Sequence, residues 1–186
     1  MSKLRLTLAC WNYDRTRALM EGSVVPEGID LNYLSLPVEE IFFRTLNHQE
    51  FDVAELSLSS YLLSLQKPEK PFIAIPVFPS CAFRHSGIYI NTNSGIKEPK
   101  ELIGRRVGTP EYQMTAALWI RGILQDDYGV PFDQVNYLTG GAEQPGRSEK
   151  IKLQLPPNIK VEPIAQHQTL SQMLKDGEID ALYTAR

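Results

Sequence analysis

Cysteine and histidine are scarce in this chain, with two and three copies among 186 residues. Cys10 and Cys81 sit in separate apolar segments, which is the pattern of two buried thiols and excludes a disulfide framework. His48, His85 and His167 share no metal-ligand spacing, so no metal is expected. No apolar run is long enough to span a bilayer, and no membrane partner is expected. The net charge is −3, and the basic residues are scattered rather than gathered in a stripe. That argues against nucleic acid as a partner. Leu4 to Trp11 is apolar but too short for the h-region of a secretory signal, and polar residues follow at once. Leu8-Ala9-Cys10 has the composition of a lipoprotein cleavage site, but the apolar run before it is also too short. The chain as given is expected to be cytoplasmic. No internal repeat or low-complexity segment is present.

What is present suits a globular protein. The hydrophobic share is 42%, and the length allows one good core or two small lobes. Leu4 to Cys10 alternates and then becomes fully apolar, as a strand entering a buried sheet does. Asn12 or Asp14 is placed to cap a helix over Arg15 to Glu21 that ends at Gly22. A second strand is predicted from Ile29 to Leu36. A helix opened by Pro37 carries Val38, Ile41, Phe42 and Leu46 on its inner face. Phe51 to Leu56 reads as a third strand, and the serines from Ser57 to Ser60 open a helix that Pro68 and Pro71 stop. Phe72 to Val77 reads as a fourth strand. This βαβαβαβ order predicts a parallel sheet with helices on both faces. Strands are also predicted at Ser86 to Asn91, within Phe132 to Leu138, at Val161 to Ile164 and at Ile179 to Tyr183. Glu98 to Leu102 reads as a short helix, and Thr169 caps another that Gly177 closes.

The chain is organised around Arg105 to Gly129, a strand running into a helix through Gly108-Thr109-Pro110. Thr109 is placed to be the N-cap and Gly129 the C′ residue. A helix that begins at a strand's C-terminal end turns unpaired N–H groups toward the front of the sheet, where anions suit. Glu111, Tyr112, Gln113 and Thr115 crowd this edge. An ordinary βα unit with a solvated first turn fits the same pattern. In open α/β sheets ligands bind beyond the strands' carboxyl ends. Those ends here carry Trp11 to Arg15, Ser57 to Ser60 and Pro79 to His85. The Thr139 to Arg147 loop is rich in glycine and proline, but too irregular for a phosphate loop.

Several of these stretches resemble the 4,5-dihydroxyphthalate decarboxylase family: L-T-L-A-C-W-N-Y-D-R-T-R, E-F-D-V-A-E-L-S-L-S-S-Y, F-R-H-S-G-I-Y-I-N, V-G-T-P-E-Y-Q-M-T-A-A and G-G-A-E-Q-P-G-R. The resemblance runs from Leu4 to Arg186. It implies an α/β fold of the type II periplasmic-binding-protein-like kind, with two lobes and a ligand cleft between them. Lobe I is expected over residues 1–86 and lobe II, with a crossover strand, over 87–186. Family members are longer, so the chain is expected to stop before the return to lobe I. The family also holds members described as transporter substrate-binding proteins. A receptor for a small carboxylated or aromatic ligand, then periplasmic, is therefore the alternative to a decarboxylase.

The chemistry that the resemblance implies needs no cofactor. A ring hydroxyl para to the departing carboxylate stabilises the cation formed when the ring carbon is protonated. The protein must hold the retained carboxylate, place a proton donor and exclude water. Arg15, Arg84 and Arg186 are the candidates for the carboxylate clamp, since guanidinium pairs with carboxylate in two-point fashion. His85 and Glu111 are the candidate proton donors. Imidazole titrates near neutral pH, whereas a carboxyl donates there only where burial favours its neutral form. Trp11 and Tyr112 can stack on the ring. Ser57, Ser59 and Ser60 can meet its hydroxyls, with Asp14, Gln113 and Thr115 around the same edge. Each position also has a structural reading. Arg84 and Arg186 can brace crossovers, and His85 can be a hinge residue. Asp14 can pair with Arg15, while Ser59 and Ser60 can be helix caps. The expected partner is a small aromatic carboxylate, and the sequence does not set the oligomeric state.

Overall fold

The computed structural model describes residues 2–185. The chain divides into two compact units, Met1–Ala82 and Phe83–Arg186. Both are α/β, with parallel-rich sheets.

In the first unit, β1 (Leu4–Ala9), β2 (Ile29–Leu34) and β3 (Val53–Ala54) form a parallel sheet in the order β2-β1-β3. Register pairs Leu4 with Ile29 and Leu8 with Tyr33. With the side-chain period of two, Leu4, Leu6 and Leu8 share a face with Ile29, Leu31 and Tyr33. Arg5, Thr7, Asp30 and Asn32 share the other. That second face is not covered as the sequence reading expected. With Asp52 its side chains line an open hollow of about 550 Å³, and Arg5 pairs with Asp30 at 3.1 Å. Polar residues at every second position do not repay the desolvation that a covering helix would impose. The helices are α1 (Arg17–Met20), α2 (Val38–His48) and α3 (Leu58–Ser64). In α2, Ile41 and Thr45 are buried while Phe43 is exposed, as a one-sided helix requires.

Three expectations for this unit are corrected. The predicted Arg15–Glu21 helix is a 3-10 turn, Asp14–Thr16, followed by the single turn of α1. The third strand is paired over two residues only, Val53 and Ala54. Phe72 to Val77 forms no strand, and Ile73, Ile75 and Val77 are exposed. The apolar alternation there is real. A strand, however, needs a neighbour's backbone groups, and Pro71, Pro76 and Pro79 each remove an N–H from the ladder.

The second unit holds a five-stranded sheet in the order β4-β8-β5-β6-β7. Its strands are β4 (Ile88–Ile90), β5 (Arg106–Thr109), β6 (Asn136–Thr139), β7 (Lys160–Pro163) and β8 (Ala181–Tyr183). β4 is antiparallel to β8, and the other neighbours are parallel. Helices α4 (Thr115–Tyr128) and α5 (Leu170–Asp176) pack on it. Val107, Tyr112, Ile120, Leu124, Tyr137 and Tyr183 belong to one core cluster, and Leu170, Met173, Ile179 and Leu182 to another. Gly108, within β5, faces the second cluster. A Cβ there would come within 2.7 Å of Ile179 Cδ1 and 2.9 Å of Leu170 Cδ2, so glycine lets α5 approach the strand. Thr169 caps α5 by accepting the Gln172 N–H, and Gly177 closes it at φ 76°. Glu98 and Glu101 form a capping box, but on a 3-10 turn, Pro99–Leu102. α4 begins at Thr115, not after Thr109. Thr109 is a fully buried strand residue whose hydroxyl donates to the Glu111 carbonyl at 3.3 Å, so it is not the N-cap. The helix ends as expected, with Gly129 at φ 66°. Among the described residues no helix is long and apolar enough to cross a membrane.

Candidate functional site

Parallel strands bring their carboxyl ends to one edge, so each sheet gathers the residues that follow its strands. In the first unit, β1 leads into Cys10 to Thr16 and β3 into Glu55 to Ser60. The Glu55 N–H donates to the Ala9 carbonyl at 3.0 Å, continuing the pairing past the strand end. Trp11, Asp14, Arg15, Ser57, Ser59 and Ser60 therefore all follow strand ends on this edge. Trp11 is exposed, while Ser59 and Ser60 are buried. The Ser57 and Ser59 hydroxyls lie 3.1 Å apart. Arg15 is already engaged. Its guanidinium lies 3.5 Å from Asp14 Oδ1, donates to the Pro79 carbonyl and sits 5.5 Å from the Tyr13 ring centre. Asp14 also accepts the Arg15 N–H at 2.8 Å.

The centre of this edge is a residue that sequence reasoning passed over. Glu55 is 9% exposed. Its Oε2 accepts the Cys10 thiol at 3.3 Å and its Oε1 the Tyr13 hydroxyl at 3.4 Å. Burial pushes the Glu55 carboxyl up, and the donors Cys10, Trp11 N–H and Tyr13 pull it partly back. The donors respond in turn. Burial, with the neighbouring carboxylate, takes Cys10 up to about 11 and Tyr13 up to about 12. Tyr33 joins the group through Thr16 Oγ1 at 3.1 Å and the Trp11 carbonyl at 3.2 Å. The signal was available, since Glu55 follows an apolar strand directly. Cys81, expected to be buried, is exposed, because the segment around it packs into no sheet.

In the second unit the turn between β5 and α4 carries Glu111, Tyr112 and Gln113, all buried, with Thr115 as the first residue of the helix. Glu111 is 1% exposed and is met by cations. Arg147 donates to its Oε1 from Nε at 2.8 Å and Nη2 at 2.5 Å, and Lys150 Nζ is 3.4 Å away. Gln113 donates to its Oε2 at 2.8 Å. Arg147 and Lys150 arrive on the glycine-proline loop after β6. A Cβ on Gly141 would collide with the Gln144 carbonyl, so the loop's backward turn requires glycine. The same loop brings Glu149, which accepts the Tyr112 N–H and the Gln113 N–H. Behind it lies Arg121, 7% exposed, with its guanidinium carbon 3.8 Å from the Tyr112 ring centre and 5.7 Å from that of Tyr137.

The two candidate proton donors are not brought together. His85 stands beside Tyr128, the last residue of α4, with ring centres 6.3 Å apart. Glu111 precedes the first residue of that helix, and 14 residues at about 1.5 Å each extend roughly 21 Å. His85 is exposed and Arg84 half-buried. The Arg84 carbonyl accepts the Gly87 N–H at 3.0 Å. Arg186 lies outside the described residues. Sequence reasoning missed Arg121, Arg147, Glu149 and Lys150. Arg121 had a signal, because it falls four residues after Ala117, on the apolar face of α4. Arg147 ends the Thr139 to Arg147 loop set aside as irregular, and Glu149 and Lys150 follow just after it.

No family model matches the chain. It is 45% identical over all of its 186 residues to a Comamonas testosteroni protein named 4,5-dihydroxyphthalate decarboxylase, and spans 56% of that protein's length. It is 46% identical, again over its whole length, to a Pseudomonas putida protein of the same name, of which it covers 72%. Identity of that degree over the whole chain places it in the 4,5-dihydroxyphthalate decarboxylase family.

Proposed function

We propose that the protein is a cofactor-independent carboxy-lyase that converts 4,5-dihydroxyphthalate, or a close dihydroxylated aromatic diacid, to the protocatechuate type of product. What carries this reading is 45–46% identity over the whole chain to two proteins of that name. Neither of those two is named as a transport component. The two units, Met1–Ala82 and Phe83–Arg186, are read as the lobes of a type II periplasmic-binding-protein-like fold. The parallel strand order in each sheet and the antiparallel β4 support this.

The reaction adds one proton to the ring carbon that bears the departing carboxylate. The para hydroxyl carries the resulting positive charge. The C–C bond then breaks, its electron pair returns to the ring, and carbon dioxide leaves. The chain's residues have three tasks: to hold the retained carboxylate, to deliver the proton and to exclude water. Arg84, with Arg15 and Arg186, is assigned to the carboxylate, and Trp11 and Tyr112 to the ring. Ser57, Ser59 and Ser60 are assigned to the hydroxyls, and Asp14, Gln113 and Thr115 are the remaining candidates for substrate contact. His85 is the preferred proton donor. Glu111, the other candidate, is surrounded by donors and acts as an acceptor.

The test is product formation and ligand affinity in the full natural protein. Wild type should release carbon dioxide from 4,5-dihydroxyphthalate. Arg84→Ala should lose about ten- to a hundredfold in affinity, the worth of a charge-assisted hydrogen bond. His85→Gln should lose about 10²–10⁴ in turnover with little change in binding. Wild-type turnover in His85→Gln would move the proton donor to a carboxyl, with Glu55 first in line. No turnover in wild type would remove the decarboxylase reading.

A further inference from the structure

Among the described residues, three polar atoms in the second unit are buried without a hydrogen-bond partner: Arg121 Nη1, Glu149 Oε2 and the Tyr183 hydroxyl. Native interiors rarely leave such groups unmatched. A guanidinium that is 7% exposed has normally found a carboxylate. Arg121 instead rests on the faces of Tyr112 and Tyr137. Those ring contacts stabilise the charge but leave its in-plane N–H groups to be satisfied elsewhere. The three atoms belong to one neighbourhood. Arg121 is close enough to Glu149 and Tyr183 for its charge to favour ionisation of both, against burial.

Glu149 is the odd member. It comes from the tip side of a loop whose residues Glu143 to Gly146 are exposed, and it reaches inward to accept the Tyr112 and Gln113 N–H groups. These amides precede α4, a helix of 14 residues whose dipole favours an anion there. Burial raises the Glu149 carboxyl, and the neighbouring Glu111 raises it further. The contact is therefore costly to hold as a carboxylate. The loop is anchored at its start, where the Leu170 and Ser171 N–H groups donate to the Gly141 and Ala142 carbonyls at 2.9 Å. It is anchored again at Leu153, which packs on the core. The arc between these anchors bears Glu149.

We infer that the Tyr112 and Gln113 amides, the Arg121 guanidinium and the Tyr183 hydroxyl form a carboxylate subsite, held here by the protein's own Glu149, which an organic acid displaces. The set matches a carboxylate's needs: two N–H donors for one oxygen, and a guanidinium with a phenol for the other. Glu149 reaches only the first pair, and its second oxygen stays unmatched. An incoming carboxylate free of the loop can satisfy both. Identifying that acid as an aromatic diacid rests on the proposed function, but the subsite itself does not.

The test uses phthalate, which lacks the ring hydroxyls and so cannot follow the proposed reaction, as the probe in calorimetric titrations of the full natural protein. Glu149→Gln removes the competing charge and should bind phthalate about tenfold tighter. Arg121→Lys keeps the charge, loses the planar fork and should bind at least tenfold weaker. Thermal melts establish that each variant is folded. If Glu149→Gln does not fold, Glu149→Asp replaces it. Its shorter side chain does not reach the amides, and the same tightening is expected. Unchanged or weaker phthalate binding in a folded Glu149 variant would overturn the inference, because Glu149 would then be a structural cap. Unchanged binding in folded Arg121→Lys would overturn it as well. Turnover of 4,5-dihydroxyphthalate is measured separately. Its absence, with the Glu149 effect intact, would remove the proposed activity and leave the subsite standing.

Discussion

Each unit buries a carboxyl just past the carboxyl end of a strand, Glu55 after β3 and Glu111 after β5, and the two are treated in opposite ways. Glu55 is met only by neutral donors, a thiol, a phenol and an amide, and no cation pairs with it among the described residues. Glu111 is met by Arg147 and Lys150. The difference reflects what surrounds each one. The first unit has a three-stranded sheet, and Ser59, Ser60, Ser64 and Thr45 are among its few buried residues. The second packs two apolar clusters on five strands and can fix a long loop that carries its cations inward. A carboxyl buried among neutral donors is ready to take or give a proton. One ringed by cations acts as a fixed electrostatic anchor.

Thiol labelling gives the largest effect that this contrast predicts. Cys10 is buried against Glu55 and raised to about 11, whereas Cys81 is exposed. An alkylating reagent at pH 8 should modify Cys81 at least a hundredfold faster, since the thiolate is the reactive form. Mass spectrometry of the labelled peptides reads the ratio. Comparable rates would mean that the Glu55 neighbourhood opens readily.

Neutralising the two carboxyls should separate them next. Glu111→Gln leaves Arg147 and Lys150 facing a neutral amide and should cost about 3 kcal/mol. Glu55→Gln keeps two hydrogen-bonding atoms and removes no partner of opposite charge, so it should cost less than about 1 kcal/mol at neutral pH. Urea unfolding of the two variants checks this, and equal losses would erase the distinction.

The pH dependence sharpens the contrast with smaller changes. The Glu55 carboxyl is raised in the folded chain above its ordinary 4.5. The folded state therefore keeps a proton that the unfolded chain releases. The stabilisation from this group is complete below about pH 4.5 and is lost as pH rises through the raised value. Glu149 contributes with the same sign. Melting temperatures of wild type across this range, compared with Glu55→Gln, should show a shallower slope in the variant. An identical slope would place the proton elsewhere.

Helix capping gives the smallest difference. Thr169 accepts an N–H of α5, and Thr169→Ala should cost about 1 kcal/mol. Ser57 makes no such cap on α3, and its hydroxyl faces Ser59 instead. Ser57→Ala should cost less than Thr169→Ala, about 0.5 kcal/mol for the loss of its hydrogen bond with Ser59. Denaturant midpoints at this resolution distinguish the two.

The sequence by itself determined the local order of strands and helices, because side-chain periods of 2 and 3.6 and the chemistry of glycine and threonine are local properties. The closing glycines Gly129 and Gly177, the cap at Thr169 and the inner face of α2 follow from residues within a few positions of each other. It also carried the family, through short stretches spread along the whole chain. Tertiary structure alone decided whether an apolar alternation had a strand to pair with. Ile73, Ile75 and Val77 alternate as a strand would and yet stay exposed. Tertiary structure also decided where the charges meet. Arg147 and Glu111 are separated by 36 positions and Cys10 and Glu55 by 45, distances over which no periodicity speaks. Pairing of buried charge depends on which loop folds over which strand end, and only the assembled sheet settles that.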